Sequence, residues 1–497
     1  MIYPEKDEFL KLAKKKSIIP IYKELIADIE TPVSIYSKFI DYDYSFLLES
    51  VEKEKQVGRY SFIGIQPEQI IQSDNLFNTK IITGLKEQII KNKNPINYID
   101  EEINKYEYIT HNELPPFTGG FIGNFNYEIM RLFEDLSFNK PDEINIPEIN
   151  LMLVNKVIVF DHYKNKILII INVKIDELEE AEMKYNEGID ELNLLQNKIL
   201  FQKKPSFLET QSLNKIKSIN NFKYNYSKEE FIKIVEKTKE YIKNGDIVQA
   251  VLSLRIGGEV NTPILNIYRA LRIINPSPYM FFIRMKDTYF VGASPETMVK
   301  VQKQELTLRP IAGTRPIGKN KEEDEMIKKE LLSDEKELAE HTMLLDLGRN
   351  DANRICIPET VNVPEKMLIE KYSHVMHIVS TVKGRLKEKA SVFDILKATF
   401  PAGTVTGAPK IRAMQIIEEL ENIKRSFYSG GIGYISYSGD LDLAIAIRTM
   451  LIKNKKFYIQ AGAGIVYDSI PAREYEECMN KAKSLFSAIK FAQEGLR

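Results

Sequence analysis

Two acidic pairs stand out as residues that could do chemistry together: Glu337 with Glu340, and Glu474 with Glu477. A spacing of three puts both carboxylates of a pair on one side of a helix. Asp334 is placed to cap the first helix, Leu344 and Leu347 continue its acidic side toward an interior, and Lys481 follows Glu477 by one turn. Two such faces aimed at each other would offer the oxygen ligands that a hard cation such as Mg2+ prefers. Singly, each pair also suits an ordinary solvated helix surface.

Three small-residue segments, PIAGTRP (310–316), PAGTVTGAPK (401–410) and AGAG (461–464), read as turns whose main-chain N–H groups could approach an anion. In the second, Pro409 reads as the first residue of a helix whose positive end faces the loop, and Thr404 and Thr406 add hydroxyls. Arg448 lies in the apolar run LDLAIAIRTM, where it needs a partner, and its forked donors suit a carboxylate. Glu296 follows a strand in GASPE, where a general acid could be displayed. His377, one of five histidines, fits either a satisfied core residue or a catalyst. The combined picture is a pocket for a small polyanion held by Mg2+, backbone amides and an arginine. No nucleotide P-loop, dinucleotide fingerprint or nucleophile elbow is present.

The elements that must position these groups form an α+β pattern of large mixed, mostly antiparallel sheets packed in layers with helices outside. At 497 residues the chain is long for a single core, so two folded regions or one large two-layer domain are expected. Residues 1–200 mix β-rich runs with helix; 151–173 reads as two strands joined by a polar turn at 162–165, and 175–200 as a helix. Residues 201–226 read as a linker, and 227–497 as a second unit opened by a capping box of Ser227 with Glu230. That unit is expected to hold strands at 251–258, 280–285, 289–293, 431–437, 442–452 and 457–460. Its helices are expected at 322–332, 335–349, 409–421 and 473–491, and no internal repeat is visible.

Lys and Arg total 69 against 70 Asp and Glu, so no global field draws the chain to nucleic acid or an anionic membrane. No apolar run approaches the ~18 residues of a membrane span, and the first residues lack a signal stretch. Cys356 and Cys478 support neither a disulfide framework nor a zinc site. A cytoplasmic protein is expected.

The segments GDIVQAVLSLR, NPSPYMFF, GASPE, PIAGTRPIG, DEKELAEHTMLLDLGRND, PAGTVTGAPK, YSGGIGY, AIRTM, AGAGIVYDS and YEECMNKAKSL occur in the order found in the chorismate-utilising enzymes, which residues 227–490 resemble. TPVSIYSKF, SFLLESVE and GRYSFIG (31–64) resemble the regulatory part of the anthranilate synthase component I family. That resemblance implies a magnesium-dependent lyase that converts chorismate and ammonia to anthranilate and pyruvate in tryptophan biosynthesis. It implies Mg2+ held by Glu340 and Glu477 with Glu337 and Glu474 in support, and a substrate site of Gly313, Thr314, Tyr428, Arg448, Gly462, Ala463, Gly464 and Lys481. Glu296 would be the general acid, with His377 and Thr404 assisting pyruvate elimination. Feedback tryptophan would contact Ser50, Pro278, Tyr279 and Met280.

Two positions separate relatives. Aminodeoxychorismate synthases typically carry a nucleophilic lysine where Ala312 stands, and isochorismate and salicylate synthases a lysine base where Gln249 stands; neither residue here can play those parts. No glutaminase motif surrounds either cysteine, so a separate glutamine amidotransferase subunit, in an α2β2 heterotetramer, is expected to deliver ammonia. Two alternatives stay open: an aminodeoxychorismate synthase component I, and a catalytically silent tryptophan-sensing subunit.

Overall fold

Two stretches of the chain, one before residue 204 and one after residue 221, thread two sheets in the same order. They are seen in a computed structural model that describes residues 2–51, 58–75, 78–91, 93–111, 113–203, 222–372 and 375–496. Most of the expected 201–226 linker lies outside the described residues.

The first stretch runs β1 (Ser17–Ile26), α1 (Pro32–Ser37), β2 (Tyr44–Glu49) and β3 (Tyr60–Ile65) in one sheet. It crosses to a second sheet for β4 (Gln69–Asn75), β5 (Asn78–Thr83), β6 (Gly120–Phe125) and β7 (Ile149–Val154), and returns as β8 (Lys156–Asp161), β9 (Lys166–Ile175) and α2 (Ala181–Phe201). The second stretch repeats the path. It begins with β10 (Gln249–Glu259), α3 (Ile264–Ile274), β11 (Tyr279–Met285) and β12 (Thr288–Ser294). β13 (Thr297–Gln302) and β14 (Glu305–Leu308) lie in the second sheet, followed by β15 (Ile311–Pro316), α4 (Glu335–Ile355), β16 (Val375–Arg385) and α5 (Lys410–Leu420). The path closes with β17 (Gly431–Ser436) and β18 (Leu441–Ile445) in the second sheet, then β19 (Thr449–Lys453), β20 (Lys456–Ile465) and α6 (Pro471–Gln493).

Among the described residues the sheets have fourteen and twelve strands. The first is ordered β1-β9-β8-β3-β2 and then β11-β12-β19-β20-β10; the second places β6 beside β17. Each half therefore mirrors the other across one strand pair per sheet, a duplication that the sequence did not show. The expected two-region division also does not follow the sheets, since both stretches contribute strands to both.

Aromatic and branched side chains of the inner faces, Phe46, Phe62, Phe117, Phe281, Phe290 and Tyr434 among them, fill the layer between the sheets. The outer face of the first sheet is covered by α2, α3 and α6. Burial on both faces explains why β9 reads KILIIINVKI, nearly apolar throughout, instead of alternating.

Several expectations need correction. The run 151–161 is not one strand: it breaks at Asn155 as the chain changes sheet. The run 442–452 breaks likewise at residues 446–448. AGAG lies inside β20 and residues 311–316 of PIAGTRP form β15, so neither is a turn. Pro409 precedes the first residue of its helix instead of occupying it. Periodicity cannot register a change of sheet in mid-run, because both sides of the break are equally buried.

Candidate active site

The two sheet changes of the second half meet. β12 ends at Ser294 in the first sheet and β13 starts at Thr297 in the second; β18 ends at Ile445 and β19 brings the chain back at Thr449. The passages are tied by hydrogen bonds from Ile445 N to Glu296 O (3.0 Å) and from Ala293 N to Arg448 O (3.1 Å). Glu296 and Arg448 are thus displayed by paired crossovers. Arg448 adopts φ +48°, a left-handed conformation that costs a non-glycine residue on the order of 1 kcal/mol, and such strain gathers where function needs it.

Both open on a cavity of about 770 Å3 closed by α4, α6 and β20. Its wall holds the expected Glu296, His377, Thr404, Gly313, Thr314, Tyr428, Arg448, Gly462, Gly464 and Lys481. All four expected metal ligands, Glu337, Glu340, Glu474 and Glu477, line it too. Ala463 does not: its side chain points to the opposite face of β20 and is buried in the core under α6. Nor does Thr406 offer a donor, because its hydroxyl bonds the Ala402 carbonyl at 3.0 Å.

Glu296 is 7% exposed, and burial raises its pKa to about 8, against the opposing influence of Thr404, the Ile311 backbone and Lys481. The carboxyl is therefore protonated at neutral pH, the state a general acid needs. His377 shares β16 with the strand pair to β15; its Nδ1 lies 2.9 Å from Gly313 O and 3.1 Å from Thr314 Oγ1. Donation from Nδ1 to the carbonyl leaves Nε2 as the acceptor, and burial holds the ring below its ordinary pKa, hence neutral.

Among the described residues Arg448 makes no ion pair with a carboxylate, so the structural salt bridge its strand position allowed is not formed. Its Nη1 donates to the Lys481 carbonyl at 3.1 Å, and burial depresses its pKa. Beside it stands Tyr428, 3% exposed. Gly462 makes room for that ring: a Cβ there would fall 2.6 Å from the Tyr428 hydroxyl. A Cβ on Gly464 would fall 2.5 Å from Gln249 Nε2. The expected anion cradle is thus a bare strand face and not a loop.

At the other end, Asp334 caps α4 through the amides of Lys336 and Glu337, as expected. The four glutamates face one cavity, yet each is engaged. Glu337 pairs with Arg315 at 2.8 Å, Glu340 accepts from Gln249 Nε2 at 2.8 Å, Glu477 pairs with Lys481 at 2.7 Å, and Glu474 faces the Ser469 hydroxyl. Among the described residues no three His, Cys, Asp or Glu side chains form a ready metal-holding group. Burial chiefly, then the charges of Glu337 and Glu477, raises the Glu340 pKa. That mutual repulsion is what a divalent cation would relieve, so the donor set fits Mg2+ by its chemistry. Lys336 and Arg473 also line the cavity and were not anticipated, although each stands one residue before an expected glutamate.

The four expected tryptophan contacts lie elsewhere. Met280 faces Glu49 across β11 and β2, so Ser50 and Pro278 to Met280 share one strand border. The Ser50 hydroxyl is buried without a hydrogen-bond partner among the described residues. Tyr279 donates to Asp442 at 2.8 Å and lies 2.8 Å from the hydroxyl of Thr297, the residue after Glu296.

The chain belongs to the chorismate binding enzyme family, whose model matches residues 43–487. It is 45% identical to an anthranilate synthase component 1 from Acetivibrio thermocellus over 99% of this chain and 100% of that protein. A second such relative, from Aquifex aeolicus, is 42% identical over 98% of each chain. The crystal structure of anthranilate synthase component I from Streptococcus pneumoniae matches with a TM-score of 0.75 at 40% identity, over 93% of this chain and 99% of that one. The menaquinone-specific isochorismate synthase of Escherichia coli, 16% identical with a TM-score of 0.68 over 97% of this chain and 98% of its own, shares the fold. Within the family, this chain stands with the anthranilate synthase component I proteins.

Proposed function

We propose that the cavity converts chorismate and ammonia to anthranilate, pyruvate and water. The observation that carries this is the set of groups lining one cavity: a buried Glu296 with a raised pKa, an Arg448 with no ion-paired carboxylate among the described residues, and four clustered glutamates. A dicarboxylate whose leaving hydroxyl sits beside the enolpyruvyl ether and across the ring from the other acid group matches that set of groups.

Arg448 and the Tyr428 hydroxyl would take the enolpyruvyl carboxylate by charge-assisted hydrogen bonds. Mg2+ would be held by Glu340 and Glu477, with Glu337 and Glu474 in support, and supplies charge neutralisation for the ring carboxylate. Glu296 gives its proton to the departing 4-hydroxyl as ammonia adds at C2, because hydroxide leaves poorly without one. His377, neutral and lining the cavity, would take a proton through Nε2 in the elimination of pyruvate, with Thr404 of the same cavity assisting. Ala312 presents only a methyl to the cavity, so no covalent amine route passes through it.

Component I of such an enzyme implies a second component, and we assign to it the supply of ammonia from glutamine, in an α2β2 assembly. Tryptophan would act at the Ser50 border, where the buried hydroxyl awaits a partner; the Tyr279 bonds to Asp442 and Thr297 give that border a direct contact with the Glu296 crossover. Among the described residues no helix is long and apolar enough to cross a membrane.

The test is the purified chain with chorismate, Mg2+ and ammonium, read by anthranilate fluorescence with and without tryptophan. A non-aromatic aminochorismate product would assign the aminodeoxychorismate reaction instead, and chorismate binding without turnover a silent subunit.

A further inference from the structure

Behind Glu296 lies a second, smaller cavity of about 40 Å3. Glu296, Thr404 and Leu344 line both cavities, so Glu296 stands in the wall between them. Asp351 of α4, Leu347 and Ala402 complete much of the far side. One polar atom in this wall, Asp351 Oδ1, has no hydrogen-bond partner among the described residues, while the Thr404 hydroxyl faces the Glu296 carboxyl. Asp351 is 5% exposed, and its other oxygen is held by Lys410 Nζ at 2.7 Å.

A buried carboxylate oxygen without a donor is costly, and such atoms are nearly always served by protein or water. The cavity exceeds the ~10–15 Å3 that one water requires, and Asp351 Oδ1 with the Thr404 hydroxyl offers that water polar partners. The chemistry supplies a use for it. On the reading of Glu296 as general acid, each turnover leaves it ionised in a buried setting, and it must regain a proton while its front face is occupied by substrate or product.

We propose that Asp351 returns that proton to Glu296 through water held in the second cavity, beside the Thr404 hydroxyl. One O–H bond breaks on Asp351 and one forms on the water, which passes its own proton on, so that one O–H bond forms on Glu296. Asp351, anionic again next to Lys410 and Arg354, is recharged from solvent. The remaining charges in reach are Arg309, already paired with Glu370, and Lys481 on the substrate side. Asp351 is therefore a positioning residue, acting through Glu296 and not on substrate.

The test uses the full chain with chorismate, Mg2+ and ammonium. Asp351→Asn removes the relay proton; Ala402→Leu fills the cavity while keeping the Asp351–Lys410 pair. Each should lower kcat about tenfold, well short of the ~10²–10⁴-fold owed to the acid itself, leave the chorismate KM unchanged, and raise the solvent deuterium isotope effect on kcat. Asp351→Glu should restore most of the rate. Wild-type kcat and isotope effect in Ala402→Leu would overturn the proposal, as would a loss in Asp351→Asn that Ala402→Leu does not reproduce. Should Asp351→Asn fail to fold, Ala402→Leu decides alone. An active Glu296→Gln would instead remove the acid assignment beneath it, whereas an inactive Glu296→Gln beside an unimpaired Ala402→Leu would sink the relay only.

Discussion

Glu68 stands in the first half of the molecule where Glu296 stands in the second. Gln69 faces Leu153 as Thr297 faces Ala444, and Gly64 faces Val157 as Gly292 faces Thr449. On the same register Lys156 matches Arg448, and Asn172 and Lys174 match Gly462 and Gly464. The surroundings differ at every one of these places. Lys174 and the Asn155 amide both reach Glu68, Asn172 donates to Thr118 O at 2.6 Å, and Lys156 pairs with Glu191 of α2 at 2.7 Å. In the second half, glycine leaves the strand face bare and Arg448 makes no ion pair among the described residues. The return crossover there is also one residue longer, running from Ala444 to Thr449 against Leu153 to Val157. The lesson is that topology supplies the paired crossover, while side-chain volume and charge pairing on the last strand decide whether it becomes a site.

Substitutions at matched positions can break or sharpen that contrast. The largest effect is expected at the acids: Glu296→Gln should lower kcat by ~10²–10⁴-fold, and Glu68→Gln should leave it near wild type, both read by steady-state anthranilate formation. Copying the first half into the second comes next. Gly464→Lys would drive a side chain into Gln249 and misplace the substrate, for a loss in kcat/KM on the order of 10²-fold; circular dichroism showing an intact fold would confine the effect to the site. Arg448→Met should weaken chorismate binding by about 1.5–3 kcal/mol, the worth of a hydrogen bond to a charged group. Its counterpart Lys156→Met, which breaks a partly exposed pair, should change only stability, by ~0.2–1 kcal/mol in urea unfolding. Equal effects of the two on chorismate binding would erase the distinction drawn here.

The smallest effect concerns pH. A carboxyl is protonated below its pKa, so activity that needs protonated Glu296 is present below about 8 and falls as pH rises through that value. Glu296→Gln should lack this alkaline limb in its residual rate; a limb that persists belongs to another group.

Much of the site was legible in the chain. The two helical glutamate pairs, the Asp334 cap, Glu296 past a strand end and the isolated Arg448 all carry local signals of spacing or polarity, and the structure gathers them around one cavity. The helices expected at 322–332, 409–421 and 473–491 followed to within two residues, whereas the one expected at 335–349 runs on to Ile355 and the one expected at 175–200 starts at Ala181. What stayed hidden was non-local. The runs 151–161 and 442–452 read as single strands because apolar pattern reports burial and not which sheet provides it. The glycines of AGAG read as a turn because a bare strand face and a turn call for the same residue.

The sequence by itself determined the mixed class of the fold, the acidic faces, the family and the residues able to do acid–base and carboxylate-binding work, since these depend on residue type and short spacing. Only the tertiary structure decided that the fold is doubled, that Glu296 and Arg448 meet on paired crossovers, and that burial raises the Glu296 pKa. Those properties arise from burial and from hydrogen bonds between strands far apart in the chain, which no local pattern encodes.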